Sequence, residues 1–259
     1  MRGWWQELAG LVLPVACGGC GSPRTVLCEE CGQELYGGRP RRVRPCPEPP
    51  GLPAVHAAAR YGGPVREVLL AHKERGALPL AGALGRALAG AARSAAPRQP
   101  GPGGLVLVPV PSARRAVRAR GHDPARRIAL AAAAELRRSG HRARVAAVLR
   151  QRRPVADQAG LGARERLVNL AGALEVRPGG AGLLAGCSVV LVDDLMTTGA
   201  SLVEAARAVR GAPQVPPARS EGPSGAPSAG SGRAPYGGFP AMSAAVVAAC
   251  SESFENNWN

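Results

Sequence analysis

Val189-Val190-Leu191-Val192-Asp193-Asp194-Leu195-Met196-Thr197-Thr198-Gly199-Ala200-Ser201 is the stretch that decides how the chain is read. Four branched apolar residues in a row, Val189 to Val192, predict a strand buried on both faces, as in a parallel sheet. Gly199 followed by Leu202, Val203, Ala206 and Val209 predicts a helix directly after it, which puts the carboxylates and hydroxyls in the strand-to-helix turn. Open α/β sheets bind ligands at the carboxyl ends of their strands, and the free N–H groups of a helix N-terminus favour an anion. A phosphate suits the Thr197-Thr198-Gly199-Ala200-Ser201 turn: three hydroxyls can donate to it, and Gly199 lets the backbone come close. Asp193 and Asp194 would repel that phosphate, but they can accept hydrogen bonds from two adjacent hydroxyls, as on a ribose. The residues describe a cradle for ribose 5-phosphate. An ordinary helix cap would need one such residue, not five.

A second strand is expected at residues 105 to 111, Leu-Val-Leu-Val-Pro-Val-Pro, ended by its prolines. Arg114, Arg115, Arg118 and Arg120 follow within ten residues, and Asp123-Pro124 then opens a helix with an acidic cap and proline in its first turn. A loop of arginines released by a strand fits pyrophosphate binding, because a planar guanidinium can hold phosphate oxygens bidentately. In an arginine-biased chain the same loop also reads as a merely solvated basic one. Residues 150 to 170 are polar, contain glycines and lie between two strand candidates, Val145 to Leu149 and Ala171 to Val176. A mobile lid fits there, useful where water would compete for an activated sugar.

Upstream, Val65, Val68, Leu69 and His72 share one face of a predicted helix that Gly76 can close, and a second, alanine-rich helix is expected from Leu78 to about Ala96. Residues 37 to 53 hold six prolines and little periodicity, and read as a linker or a degenerate metal knuckle. Before them come Cys17-Gly-Gly-Cys20 and, seven residues on, Cys28-Glu-Glu-Cys31. Four thiolates at this spacing suit tetrahedral zinc, and with no open position the metal would be structural. Two disulfides or redox dithiols are the competing reading, disfavoured in a chain that looks cytosolic. Cys46, Cys187 and Cys250 are scattered thiols.

Aromatics make up 3% of the 259 residues, and only Lys73 among 33 basic residues is a lysine. A formal charge of +15 favours phosphate-bearing partners, either a small diphosphate or a nucleic acid. Gln6 and Glu7 interrupt the apolar N-terminus and no run approaches membrane-spanning length, so a cytoplasmic protein without membrane insertion is expected. Trp4, Leu8, Leu11 and Val12 fall on one face of a short helix that would cover the next domain. Residues 211 to 240, nearly all Gly, Pro, Ala and Ser in their first part, are expected to be a disordered linker. Beyond it, Ala244 to Ala249 reads as the last strand and Ser251 to Asn259 as a polar tail.

From about Leu11 to Val209 the chain resembles the ComF family, a type I phosphoribosyltransferase-like fold behind an N-terminal zinc ribbon, associated with bacterial competence for DNA uptake. The resemblance rests on the order of the motifs: the Cys knuckles, Tyr61 to Gly76 with Lys73, Val-Pro-Val-Pro, the arginine run ending in Arg120-Gly121, Gln158-Ala-Gly-Leu with Arg166 and Asn169, and the Asp193-Asp194 turn. It departs after Cys46, where the further Cys-x-x-Cys of some relatives is absent. It implies a Rossmann-like α/β fold with a parallel sheet: residues 1–50 as helix and zinc ribbon, 51–210 as the phosphoribosyltransferase-like domain, and 241–259 as its final strand and tail. It further implies binding of phosphoribosyl pyrophosphate (PRPP) with Mg²⁺ and displacement of pyrophosphate by an acceptor. Asp193 and Asp194 would anchor the ribose, Thr197 to Ser201 the 5-phosphate, Arg114 and Arg115 the departing pyrophosphate, with Lys73 at the same substrate site and Cys17, Cys20, Cys28 and Cys31 on structural Zn²⁺. Competence-machinery proteins would be partners. The rival is a non-catalytic protein that keeps the fold and binds single-stranded DNA, since residues 111 to 153 hold thirteen arginines against Asp123 and Glu135.

Overall fold

The computed structural model describes residues 16–156, 160–213 and 242–255. The expectations for the N-terminal helix, for nearly all of the 211–240 linker and for the last residues of the tail lie outside these residues. The Val189 to Val192 run lies in β7, Ser188–Met196, and each of the four residues exposes 0% of its surface. Both faces of β7 are covered. With α1 the short helix Glu29–Gly32 of the cysteine segment, Val190 and Val192 pack with helices α2 (Gly63–Lys73), α3 (Ala81–Ala95) and α5 (Pro124–Arg138), whereas Val189 and Leu191 pack toward α7 (Ala200–Arg210). Period-two alternation along one strand thus feeds two separate cores, and an uninterrupted apolar run results.

Six strands form the main sheet in the order β1-β2-β8-β7-β3-β4, where β1 is Arg41–Val43, β2 Val55–Arg60, β3 Leu105–Pro109, β4 Ala143–Val145 and β8 Met242–Ala249. Every pairing is parallel except β1 with β2. The chain is therefore α/β with a mostly parallel central sheet, preceded by a four-cysteine cluster. Strand β8, last in the sequence, lies inside the sheet between β2 and β7, and alanines at 244, 245, 248 and 249 let helices approach it closely.

The helices begin and end where their sequence signals predict. Asp123 Oδ1 accepts the Arg126 N–H at 3.2 Å with Pro124 in the first turn of α5, and Gly76 beyond α2 takes φ +68°. Three expectations change. The 37–53 segment is not simply a linker, because Arg41–Val43 adds an antiparallel edge strand and buries Val43. The Val145 to Leu149 run splits, Val145 ending β4 in the main sheet while Leu149–Gln151 opens β5, which pairs antiparallel with β6, Leu174–Val176. Finally, the arginines after β3 form a short helix, α4 (Arg114–Arg120), rather than a loop.

Between β5 and β6 lies α6, Ala163–Leu170, so the described part of the 150–170 segment is a helix-bearing hairpin. It is fastened to α7 by one carboxylate. Glu204 Oε1 accepts the Leu174 N–H at 2.8 Å, and Arg207, bound to Glu204 through two nitrogens, donates to the Leu174 carbonyl at 2.8 Å. Both outward backbone groups of Leu174, at the free edge of β6, are satisfied as a third strand would satisfy them.

Candidate functional site

Strands β7 and β3 are neighbours and run in parallel, so the chain leaves both at the same edge of the sheet. From β7 it passes into Thr197 and Thr198, takes a left-handed turn at Gly199 (φ +77°) and enters α7. Glycine is favoured there because L side chains disfavour that φ, and a Cβ would in addition press on Leu52 Cδ1 at 3.0 Å. Asp193, Thr197, Thr198, Gly199, Ala200 and Ser201 line one cleft at the N-terminus of α7.

The two aspartates are still within the strand, not in the turn, because Asp193 pairs with Val246 and the ladder continues to Met196. Successive residues of a strand face opposite ways. Asp193 faces the cleft, where its Oδ1 accepts the Asp194 N–H at 2.9 Å. Asp194 is buried on the other side, and its Oδ2 lies 2.7 Å from Lys73 Nζ at the end of α2. Loss of hydration, then the neighbouring Asp194 carboxylate, push the Asp193 carboxyl well above its ordinary range, against the opposing pull of Lys73. Burial alone would lower the Lys73 ammonium, but the charge and hydrogen bond of Asp194 raise it above its usual value.

The residues beside Lys73 also reach across. His72 exposes 0% of its surface, neither ring nitrogen has a hydrogen-bond partner among the described residues, and its ring stands edge-on to His122 at 5.5 Å. Burial, helped by His122, lowers its pKa to about 4. Glu74 takes Arg120 in a two-pronged bond of 2.8 and 2.7 Å. Three consecutive residues thus tie α2 to the acid strand and to the arginine segment. Arg114 and Arg115 open α4, both exposed, and neither guanidinium has a partner among the described residues. The Arg114 N–H points to Gln151 Oε1 at 3.4 Å.

Arg166, to which no local sequence signal gives a site role, donates from Nη1 to Thr197 Oγ1 at 3.1 Å. The clasp between Glu74 and Arg120 likewise has no local sequence signal. Arg166 was visible only as part of the motif with Gln158 and Asn169, and Gln158 itself lies outside the described residues.

At the N-terminus the sulfurs of Cys17, Cys20, Cys28 and Cys31 all lie within 4.8 Å of one another, and none is in a disulfide. Tetrahedral zinc with Zn–S near 2.3 Å places its sulfurs about 3.8 Å apart. Cys20 and Cys28 sulfurs stand at 3.5 Å, so the four thiols are close enough to bind one structural zinc. Cys17 Sγ also receives the Gly19 and Cys28 N–H groups at 3.5 and 3.3 Å. Burial opposes its ionisation, yet the backbone donors of Cys20, Cys28 and Gly19 bring its pKa down to about 6, whereas the Cys28 and Cys31 thiols are raised in this cluster. Compared with known proteins, the chain matches no family model, and no curated protein matches it. Among the described residues, no helix is long and apolar enough to cross a membrane.

Proposed function

We propose that the chain is a type I phosphoribosyltransferase-like protein that binds PRPP with Mg²⁺ and exchanges its pyrophosphate for an acceptor nucleophile. The observation that carries this reading is the junction of two adjacent parallel strand ends. One releases a hydroxyl-rich anion turn beside Asp193, and the other releases two exposed arginines whose guanidiniums have no partner among the described residues. The turn suits the 5-phosphate, Asp193 the ribose hydroxyls, and Arg114 with Arg115 the pyrophosphate. Charge on a departing pyrophosphate grows as the glycosidic bond breaks, so guanidiniums in contact with it stabilise the transition state more than the ground state. Lys73 neutralises Asp194, which limits the repulsion that two adjacent carboxylates would exert on each other and on an incoming polyanion. Mg²⁺ arrives with the substrate and supplies further charge neutralisation there. A structural zinc in the cysteine cluster and a cytoplasmic role in DNA uptake belong to the same proposal.

Isothermal titration with PRPP and Mg²⁺, followed by a pyrophosphate-release screen across nucleobases, amines and ammonia, tests it. Absence of PRPP binding by the metal-loaded chain would remove the proposal. The rival is a nucleic-acid-binding protein without turnover, and one observation favours it. Arg115, Arg118, Arg126 and Arg127 are exposed and make no ion pair among the described residues, leaving a basic surface available to a phosphate backbone.

A further inference from the structure

Arg166 stands on α6, outside the segments from which the phosphate turn is built, yet its guanidinium reaches that turn at Thr197 Oγ1, 3.1 Å away. Its Nε is buried and has no hydrogen-bond partner among the described residues. Among the described residues it has no counter-ion either. Other arginines, such as Arg120 with Glu74, Arg150 with Glu175 and Arg207 with Glu204, pair with glutamates. A guanidinium donor taken out of water without an acceptor is costly, and an anion's oxygen would remove that cost. The neighbouring groups have the same preference: the first amides of α7 carry partial positive charge, and Thr197 and Thr198 have hydroxyl protons to give. Because Arg166 already donates to Thr197 Oγ1, the proton of that hydroxyl is free to point at a ligand, and the cationic donor strengthens it.

We infer that Arg166 is a phosphate-binding residue: α6 brings its guanidinium to the terminal phosphate seated on the Thr197–Ser201 turn, so that the site selects phosphorylated over unphosphorylated sugars. The inference rests on the reading of that turn as a phosphate site. It adds a charge-matching ligand from a separate element, which sequence adjacency to the turn does not reveal. On binding, the spare guanidinium donors satisfy the phosphate oxygens and the contact with Thr197 becomes one edge of a shared network.

The test uses the full chain, loaded with zinc, titrated with ribose 5-phosphate, PRPP with Mg²⁺, and ribose. Arg166→Gln is expected to weaken ribose 5-phosphate by about tenfold to a hundredfold, the range of a charge-assisted hydrogen bond, without changing the response to ribose. Arg166→Lys, which keeps the charge but not the fork, is expected to recover part of the loss. A second readout separates phosphate contact from a structural role. The ³¹P shift of bound ribose 5-phosphate should titrate at lower pH than that of the free compound in the parent protein, and move back toward the free value in Arg166→Gln. If Arg166→Gln does not fold, Arg166→Lys alone decides, by weaker ribose 5-phosphate binding and a displaced ³¹P titration. Parent protein that binds both phosphorylated ligands, with variants that bind them equally and show the same ³¹P titration, overturns the role of Arg166 alone. Parent protein that binds neither overturns the phosphate-turn reading together with it.

Discussion

Lys73 Nζ and Asp194 Oδ2 are 2.7 Å apart, joining the end of α2 to the strand that carries the acid pair, with Asp194 almost fully buried and Lys73 partly open to solvent. The chain's one lysine is therefore placed where a compact ammonium meets a carboxylate that has no other charged partner among the described residues. Removing it strands a buried charge. Lys73→Met is expected to lower stability in urea unfolding by about 1.5–3 kcal/mol, the scale of a hydrogen bond to a charged group. Adding Asp194→Asn should return much of that loss, and a double-mutant cycle with no coupling between the two sites would show that the pair is incidental.

Asp193 behaves in the opposite sense, because its carboxyl is pushed above its ordinary range by lost hydration and by Asp194. The native state then holds the proton at a pH where the unfolded chain has released it. Stability contributed by this group is full below the unfolded value of 3.8 and declines as pH rises through the folded one. Asp193→Asn keeps an oxygen for the Asp194 N–H and should raise the melting temperature at neutral pH while removing most PRPP affinity. A lower melting temperature at neutral pH, measured by calorimetry, would contradict this account of Asp193.

His72 supplies a counter-slope. Its folded pKa of about 4 lies below the ordinary 6.5, so the unfolded chain takes up a proton first and stability falls as pH drops from 6.5 toward 4. The limiting contribution is about 3 kcal/mol. The groups that set the shift besides burial are His122, Asp194 and Arg127. His72→Leu, which loses no hydrogen bond described in the fold, should flatten the acid limb of the stability curve and raise stability near neutrality. An acid limb unchanged by this substitution would assign the slope to other groups.

Much of this arrangement is legible in the sequence wherever the signal is local. The Val189 to Val192 run, the Asp123-Pro124 cap and the helical face of Val65, Val68, Leu69 and His72 each depend on neighbours within a few residues. What stays hidden is pairing over distance. Glu74 and Arg120 are 46 residues apart and Arg166 and Thr197 are 31, so neither contact leaves a periodic trace. The Val145 to Leu149 run looks continuous because hydrophobicity does not encode which strand a segment pairs with. Arg41–Val43 is too short to stand out among prolines, and it becomes a strand only because β2 offers a free edge. The opposed orientation of Asp193 and Asp194 follows from how far β7 extends, a boundary that composition alone does not fix.

The cysteine cluster predicts one zinc per chain. Cys20→Ala with Cys31→Ala should abolish metal content by elemental analysis and lower the melting temperature, because metal binding contributes directly to folding so small a module. Zinc retained at one equivalent in the double variant would overturn the assignment of Cys17, Cys20, Cys28 and Cys31 as ligands.

Arg114 and Arg115 separate the two functions. Both are exposed at the start of α4, at the edge where β3 and β7 end, and neither guanidinium is engaged among the described residues. If they hold pyrophosphate, changing both to Ala removes two contacts to a multiply charged group and PRPP affinity should fall by about a hundredfold, taking roughly 1.4 kcal/mol for each contact. Single-stranded DNA should weaken only modestly, since each lost phosphate contact reduces the salt slope by about 0.7. Arg138 and Arg142 lie at the other end of the sheet, where α5 finishes and β4 begins. Their replacement should leave PRPP binding intact and reduce DNA binding if a basic belt extends that far. Titrating both ligands against both double variants, with DNA measured at several salt concentrations, gives four results that the two readings order differently. DNA affinity that collapses with Arg114 and Arg115 while PRPP binding persists would favour the nucleic-acid reading, because the arginines at the strand end would then serve a polymer rather than a diphosphate.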